Sequence, residues 1–174
     1  AQRLLTATYL RLGQPNRAAR ILPYLLRPGM EDDADLAALA GEVFLSNQDF
    51  HHAELFFNHS ARLDPASDDK RTALAMARLG EGKTEQALTE LQSIAGKGKS
   101  LTADRVLIQQ LLRQEQAEQA LGVARQMIER APQQPEGHYW LAAARYALGD
   151  RAAALAALDE CLRLDPFYAP ALQT

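Results

Sequence analysis

Five alanines, Ala18, Ala53, Ala87, Ala120 and Ala154, follow one another at intervals of 35, 34, 33 and 34 residues. A period near 34 is that of helix–turn–helix units stacked in a row. No other feature restricts the fold of this chain as strongly. One such unit cannot bury its apolar face alone, so neighbours must cover one another. The expected fold is all-α: an α-solenoid of about five helix–turn–helix repeats, ten helices plus the start of an eleventh.

With the recurrent alanine set as position 20 of the unit, the repeats run over 1–32, 34–67, 68–100, 101–134 and 135–168, within one solenoid domain spanning 1–174. Each holds two helical stretches of about 14 residues, A then B. Turn residues separate them at Gly13-Gln14-Pro15, Asn47-Gln48-Asp49, Gly80-Glu81-Gly82, Gln114-Glu115-Gln116 and Gly149-Asp150. Asp49 and Asp150 stand where an N-cap of helix B belongs, and Ser100 where one of helix A belongs. Pro65, Pro132 and Pro166 close units two, four and five; unit three has Lys99 there instead. No segment alternates with a period of two, so no strand is expected. The chain starts inside a helical pattern and stops a few residues into a next repeat, and so reads as a piece of a longer protein.

Position 20 lies where helix B crosses helix A of its own unit, and a methyl side chain lets the two axes approach. The facing position 8 is small in Thr6, Gly41, Ala75 and Ala142. Unit four has Ile108 there, with Ala124 at position 24, where the others carry Leu22, Phe57, Leu91 and Leu158. The expectation is a volume swap, Ile108 filling the space Ala124 leaves. Position 27 reads Leu25, Ser60, Ile94, Met127 and Cys161, which makes Cys161 a packing residue rather than a reactive thiol.

The small residue at position 8, aromatic at 11, Ala at 20, large apolar residue at 24 and Pro at 32 resemble the tetratricopeptide repeat over essentially the whole chain. Unit two (Gly41, Phe44, Ala53, Phe57, Pro65) and unit five (Leu141, Ala142, Ala154, Leu158, Pro166) carry the likeness best, while Arg78 and Arg145 depart at the aromatic position. The resemblance implies a right-handed solenoid that binds proteins or peptides. Residues 39–46, 63–66, 71–79 and 165–170 are also similar to the large tetratricopeptide lipoproteins of bacterial exosortase systems. That similarity implies a periplasmic or cell-envelope scaffold in exopolysaccharide or sorting systems; without it the cytoplasm is the expected compartment.

Charge does not select a polyanion. The net charge is −3 and charged residues make up 24%, too mild a balance for nucleic acid or an anionic membrane surface. No run nears the ~20 apolar residues a membrane span needs, so no membrane insertion by this segment is expected. Gly98-Lys99-Ser100 imitates the end of a phosphate-binding loop, but Ser93 stands where the pattern needs glycine, and a helix precedes it instead of a strand. It reads as a link between units three and four. His51, His52 and His59 share helix B of unit two without the spacing of metal pairs, and His138 falls on a partly buried packing position. No nucleophile–base–acid set is legible. The expectation is no enzyme, no metal site and no cofactor.

The A helices of such stacks line the concave side, and positions 2, 5, 9, 12 and 13 point there by helical spacing. The candidate partner-binding groove is Leu10, Glu42, Leu45, Met76, Leu79, Arg105, Gln109, Leu112, Tyr139 and Tyr146. Leu10, Leu45, Leu79, Leu112 and Tyr146 all hold position 12, an apolar stripe read either as a floor for a peptide or amphipathic helix or as contact between successive A helices. The Lys/Asn carboxylate clamp of some tetratricopeptide cochaperones does not fit: from unit one its places hold Arg3, Ala7, Leu39 and Asp69. The function expected is a non-catalytic protein-interaction scaffold. The alternatives are a structural or self-assembly module, with Leu155, Leu158 and Leu162 of the exposed C-terminal helix as the contact, or a regulatory segment of a larger enzyme.

Overall fold

Helix–turn–helix packing starts from the turns. The residue five places before each ladder alanine has left-handed backbone: Gly13 (φ 64°), Gln48 (61°), Gly82 (81°), Glu115 (59°) and Gly149 (82°). Around each, the N–H of the next residue bonds back to the carbonyl at position 11, from Gln14 to Tyr9, Asp49 to Phe44, Lys83 to Arg78, Gln116 to Leu111 and Asp150 to Arg145, at 2.8–3.0 Å. The left-handed residue itself donates to position 12 in every case. Helix A thus ends five times in a Schellman motif, which satisfies its last carbonyls and reverses the chain into helix B.

The computed structural model describes residues 1–26, 32–98 and 100–172. Among these it is all-α, with no strand. The helices are α1 (Gln2–Arg11), α2 (Pro15–Ala19), α3 (Leu22–Leu25), α4 (Ala34–Ser46), α5 (Phe50–Leu63), α6 (Asp68–Gly80), α7 (Thr84–Ile94), α8 (Thr102–Arg113), α9 (Ala117–Arg130), α10 (Pro135–Ala147), α11 (Arg151–Leu164) and α12 (Ala169–Leu172). The fold class is the helical repeat of helix–turn–helix units expected from the alanine ladder, and α12 is the expected start of an eleventh helix.

Helix B of the first repeat differs from its expected single stretch. It is two short helices, α2 and α3, parted at Arg20–Ile21. Pro23 is the cause: it has no N–H for the Ala19 carbonyl, and its ring crowds that carbonyl. Two capping expectations hold, with the Asp49 side chain accepting from His52 N and Asp150 from Ala153 N. Ser100 does not cap directly: α8 starts one residue later, with Leu101 at the cap, and Ser100 Oγ accepts from Thr102 N at 3.4 Å. Lys99, the centre of the glycine–lysine–serine run, lies outside the described residues.

The chain divides into two compact units, 1–90 and 91–174. In the first, Ala18, Leu22 and Leu25 of one B helix form a core with Leu36, Ala40 and Val43 of the following A helix. Ala53 and Phe57 do the same with Leu74 and Ala77. The joint between repeats therefore pairs positions 20, 24 and 27 of one unit with positions 3, 7 and 10 of the next. In the second unit α8 packs on α9, α9 on α10 and α10 on α11. All five ladder alanines are buried, none more than 5% exposed. Burial is also complete or nearly so at position 27, where Cys161 is enclosed and desolvation raises its thiol pKa.

Candidate functional site

On the A-helix face of the first unit, positions 2, 5 and 9 of α4 meet positions 2 and 6 of α6. Asp35, Ala38 and Glu42 of α4 and Asp69 and Ala73 of α6 line a groove of 270 Å³ with Phe57 at its floor. Lys70 Nζ sits among them, bonded to Asp35 at 2.8 Å and Asp64 at 2.9 Å, and these carboxylates raise its pKa. Its charge is thus spent locally, and Asp35, Glu42 and Asp69 leave the groove acidic. Glu42 is open to solvent yet set in a concavity, where lost hydration raises its carboxyl pKa.

The position-12 stripe resolves differently in different repeats. Leu10 packs against the core shared by α2, α3 and α4, and Leu45 against the core shared by α5 and α6. Both are half-buried at the joints between successive A helices. Leu79 and Leu112 are half-buried, and Tyr146 is 66% exposed. Met76 is half-buried and Gln109 exposed. Arg105 faces Glu136 of the next A helix at 3.8 Å. Tyr139 stands edge-on to Trp140 and Tyr168, and burial, with Glu136 second, pushes the Tyr168 phenol up to about 12.

Tyr139 and Tyr146 belong instead to an apolar cleft of 470 Å³ between α10 and α11. Ala142 and Ala143 complete its α10 wall, and Arg151, Ala154, Leu155 and Leu158 form the α11 wall.

Two clusters went unread in the sequence. Asp104, only 1% exposed, accepts from the backbone N of Gly96 at 3.0 Å and lies 2.6 Å from Arg130 Nη2, while Arg130 Nη1 donates to the Gly98 carbonyl at 2.7 Å. Unit three lacks the closing proline, α7 stops at Ile94, and this buried pair holds the backbone of the link that follows. The available signal was an acid at position 4 of helix A, where Ala37, Arg71 and His138 stand in other repeats. The second cluster accounts for Arg78 at the aromatic position: its Nε bonds Glu54 at 3.1 Å, and Glu54 and Glu81 share Lys83. Lys83 holds Glu81 down at about 2. Arg145 likewise turns to Asp150 at 3.3 Å.

The histidines of α5 are exposed. His51 bonds Glu81 at 3.0 Å, and His52 bonds Asp49 while stacking on Phe44 at 5.1 Å. Among the described residues no three His, Cys, Asp or Glu side chains are grouped to hold a metal ion, and no helix is long and apolar enough to cross a membrane.

Comparison with known proteins agrees with this architecture. The tetratricopeptide repeat family model matches residues 135–168, the fifth repeat. No curated protein matches the chain. Among solved structures it is similar to YrrB, described as a TPR protein with an unusual peptide-binding site: TM-score 0.66, 18% identity, 99% of this chain and 89% of that one. It is similar also to MamA from Desulfovibrio magneticus RS-1, residues 41 to the end, with TM-score 0.72, 18% identity, and 97% and 95% of the two chains. A further MamA structure gives TM-score 0.72 at 15% identity, over 92% and 94%. At such identities the likeness is one of fold. The fifth repeat thus matches the tetratricopeptide repeat model, and the chain as a whole shares its fold with these structures.

Proposed function

We propose that this chain is a non-catalytic protein-interaction scaffold whose A-helix face holds an extended peptide or a partner helix. The observation that carries the reading is the groove of α4 and α6, where Asp35, Ala38 and Glu42 of one A helix and Asp69 and Ala73 of the next line one concavity with Phe57 beneath. The peptide-binding site described for YrrB supports the same use of the fold. The position-12 leucines take a smaller part than their spacing implied, since Leu10 and Leu45 are committed to packing. The groove-facing set is then Glu42, Met76 and Leu79 in the first unit and Arg105, Gln109 and Leu112 in the second.

The test is selection of peptides from a displayed library on the whole chain, followed by titration against Asp35→Lys, Glu42→Lys and Asp69→Lys. These residues are surface groups, so the variants fold. The expected result is loss of the selected peptides in all three. Peptides that bind the three variants as they bind the parent overturn the groove. The similarity to exosortase-system lipoproteins supports the cell envelope as the setting. Fractionation of the native host is expected to place the protein there, and recovery with the cytosol overturns that placement.

A further inference from the structure

Position 5 of an A helix holds arginine twice, and each time the arginine meets an acid at the start of the next A helix. Arg3 of α1 pairs with Asp33, the N-cap of α4. Arg105 of α8 faces Glu136, at position 2 of α10, at 3.8 Å. Between α4 and α6 the acid is present and the arginine is not. Asp69 holds position 2 of α6, and position 5 of α4 is Ala38. Both line the 270 Å³ groove, together with Glu42. The groove's own cation, Lys70, is bonded to Asp35 and Asp64. Among the described residues no ion pair or side-chain hydrogen bond reaches the carboxylate of Glu42 or of Asp69. Lost hydration, with no cation to offset it, raises the Glu42 pKa.

We infer that the partner supplies the missing arginine: the peptide held between α4 and α6 places one arginine side chain in this groove, which takes the peptide reading of the site as given. Its guanidinium meets Glu42 and Asp69, and its methylenes lie along Ala38, Ala73 and Phe57. The chain's own pairs show that a guanidinium is what this part of the repeat accepts. A planar fork of donors serves two carboxylates at once, and guanidinium gives up its hydration more readily than an ammonium does. The groove is also the right size for one side chain, since 270 Å³ is below the ~300 Å³ at which small-molecule pockets begin. Charge complementarity thus sets which peptides are accepted, and an acidic segment is repelled by Asp35, Glu42 and Asp69.

The probes are peptides selected from a displayed library on the 174-residue chain and lost in Glu42→Lys. They are expected to share an arginine at one fixed position. Citrulline keeps the shape of arginine without its charge. A synthetic peptide with citrulline at that position is expected to bind roughly tenfold or more weakly in calorimetric titration. In the double variant Glu42→Gln, Asp69→Asn the citrulline penalty should shrink to within about twofold, because the charge has lost its partners. Both residues are exposed, and an unchanged helical circular dichroism spectrum verifies the fold. Groove-dependent peptides without a fixed arginine overturn the inference and leave the peptide reading standing. So does a citrulline penalty that is absent in the parent or undiminished in the double variant. Peptides that bind Glu42→Lys as they bind the parent overturn both, as does a library that yields no binder.

Discussion

In the second repeat Gly41 on helix A faces Phe57 on helix B, so closely that a Cβ on the glycine would come within 2.7 Å of the ring. In the fourth, Ile108 stands at the glycine's position and Ala124 at the phenylalanine's, and both are fully buried. In the second repeat the large residue of these two positions stands on helix B, and in the fourth on helix A. Their links differ as well. The second repeat closes with Leu63, Asp64 and Pro65, and Lys70 joins Asp64 to Asp35 near the surface. The link before the fourth lacks proline and is held by the buried Asp104–Arg130 pair. The comparison teaches that the repeat conserves the volume of a contact and the closure of a link, and leaves open which residues supply them.

The largest effect separates the two links. Arg130→Met leaves Asp104 buried without its counterion and is expected to cost about 3–5 kcal/mol. Lys70→Met, which opens a more exposed pair, should cost no more than about 1 kcal/mol. Urea melts of both variants measure the difference, and equal losses would remove the distinction.

Next come the two contacts. Gly41→Ala drives a methyl into the buried Phe57 ring, and Ala124→Leu adds volume beside a buried isoleucine. Each is expected to cost about 1–3 kcal/mol, the glycine change being the larger because the predicted approach is below contact distance. The pair Ile108→Ala with Ala124→Leu restores the arrangement of the other repeats and should recover most of the loss in a double-mutant cycle. A gain in stability from Ala124→Leu alone would end the volume-swap account.

The turns distinguish the repeats less. Gln48 and Glu115 carry the left-handed backbone that glycine carries in the other three. Gln48→Gly and Glu115→Gly relieve that strain but enlarge the unfolded ensemble, leaving a net gain of about 0.5 kcal/mol. Thermal melts of the two should shift alike, since the turn hydrogen bonds are alike.

The smallest effect is in acid. Glu81, held down at about 2 by Lys83, has a folded pKa below its ordinary 4.5. Its contribution is therefore complete above pH 4.5 and is lost as pH falls from 4.5 towards 2. Glu81→Gln should lower stability at neutral pH and flatten the stability–pH curve in that window, the gap from the parent closing as pH falls towards 2. An unchanged acid slope would show that the Glu54–Glu81–Lys83 cluster adds nothing.

Much of the fold was legible because it obeys local rules. The alanine at position 20, the turn five residues before it and the proline two residues after most B helices each follow from helix geometry or capping. The candidate site was legible only in part. Spacing put Leu10, Glu42 and Leu45 on one helical side, but whether a side chain there meets ligand or protein depends on what lies opposite. For Leu10 and Leu45 the next A helix lies opposite, and for Glu42 a groove does. Asp104 and Arg130 sit 26 residues apart, with no spacing rule to link them.

By itself the sequence determined that this chain is a row of helix–turn–helix units, where each turn falls and which alanine lets each pair of helices close. Those outcomes depend on residues within one unit, whose periodicity and backbone preferences act over a few positions. Tertiary structure alone decided that Arg78 leaves the aromatic site to bond Glu54 and that a buried ion pair closes the link without proline. The physical reason is that burial and charge pairing are properties of two surfaces, and a position in a repeat specifies only one of them.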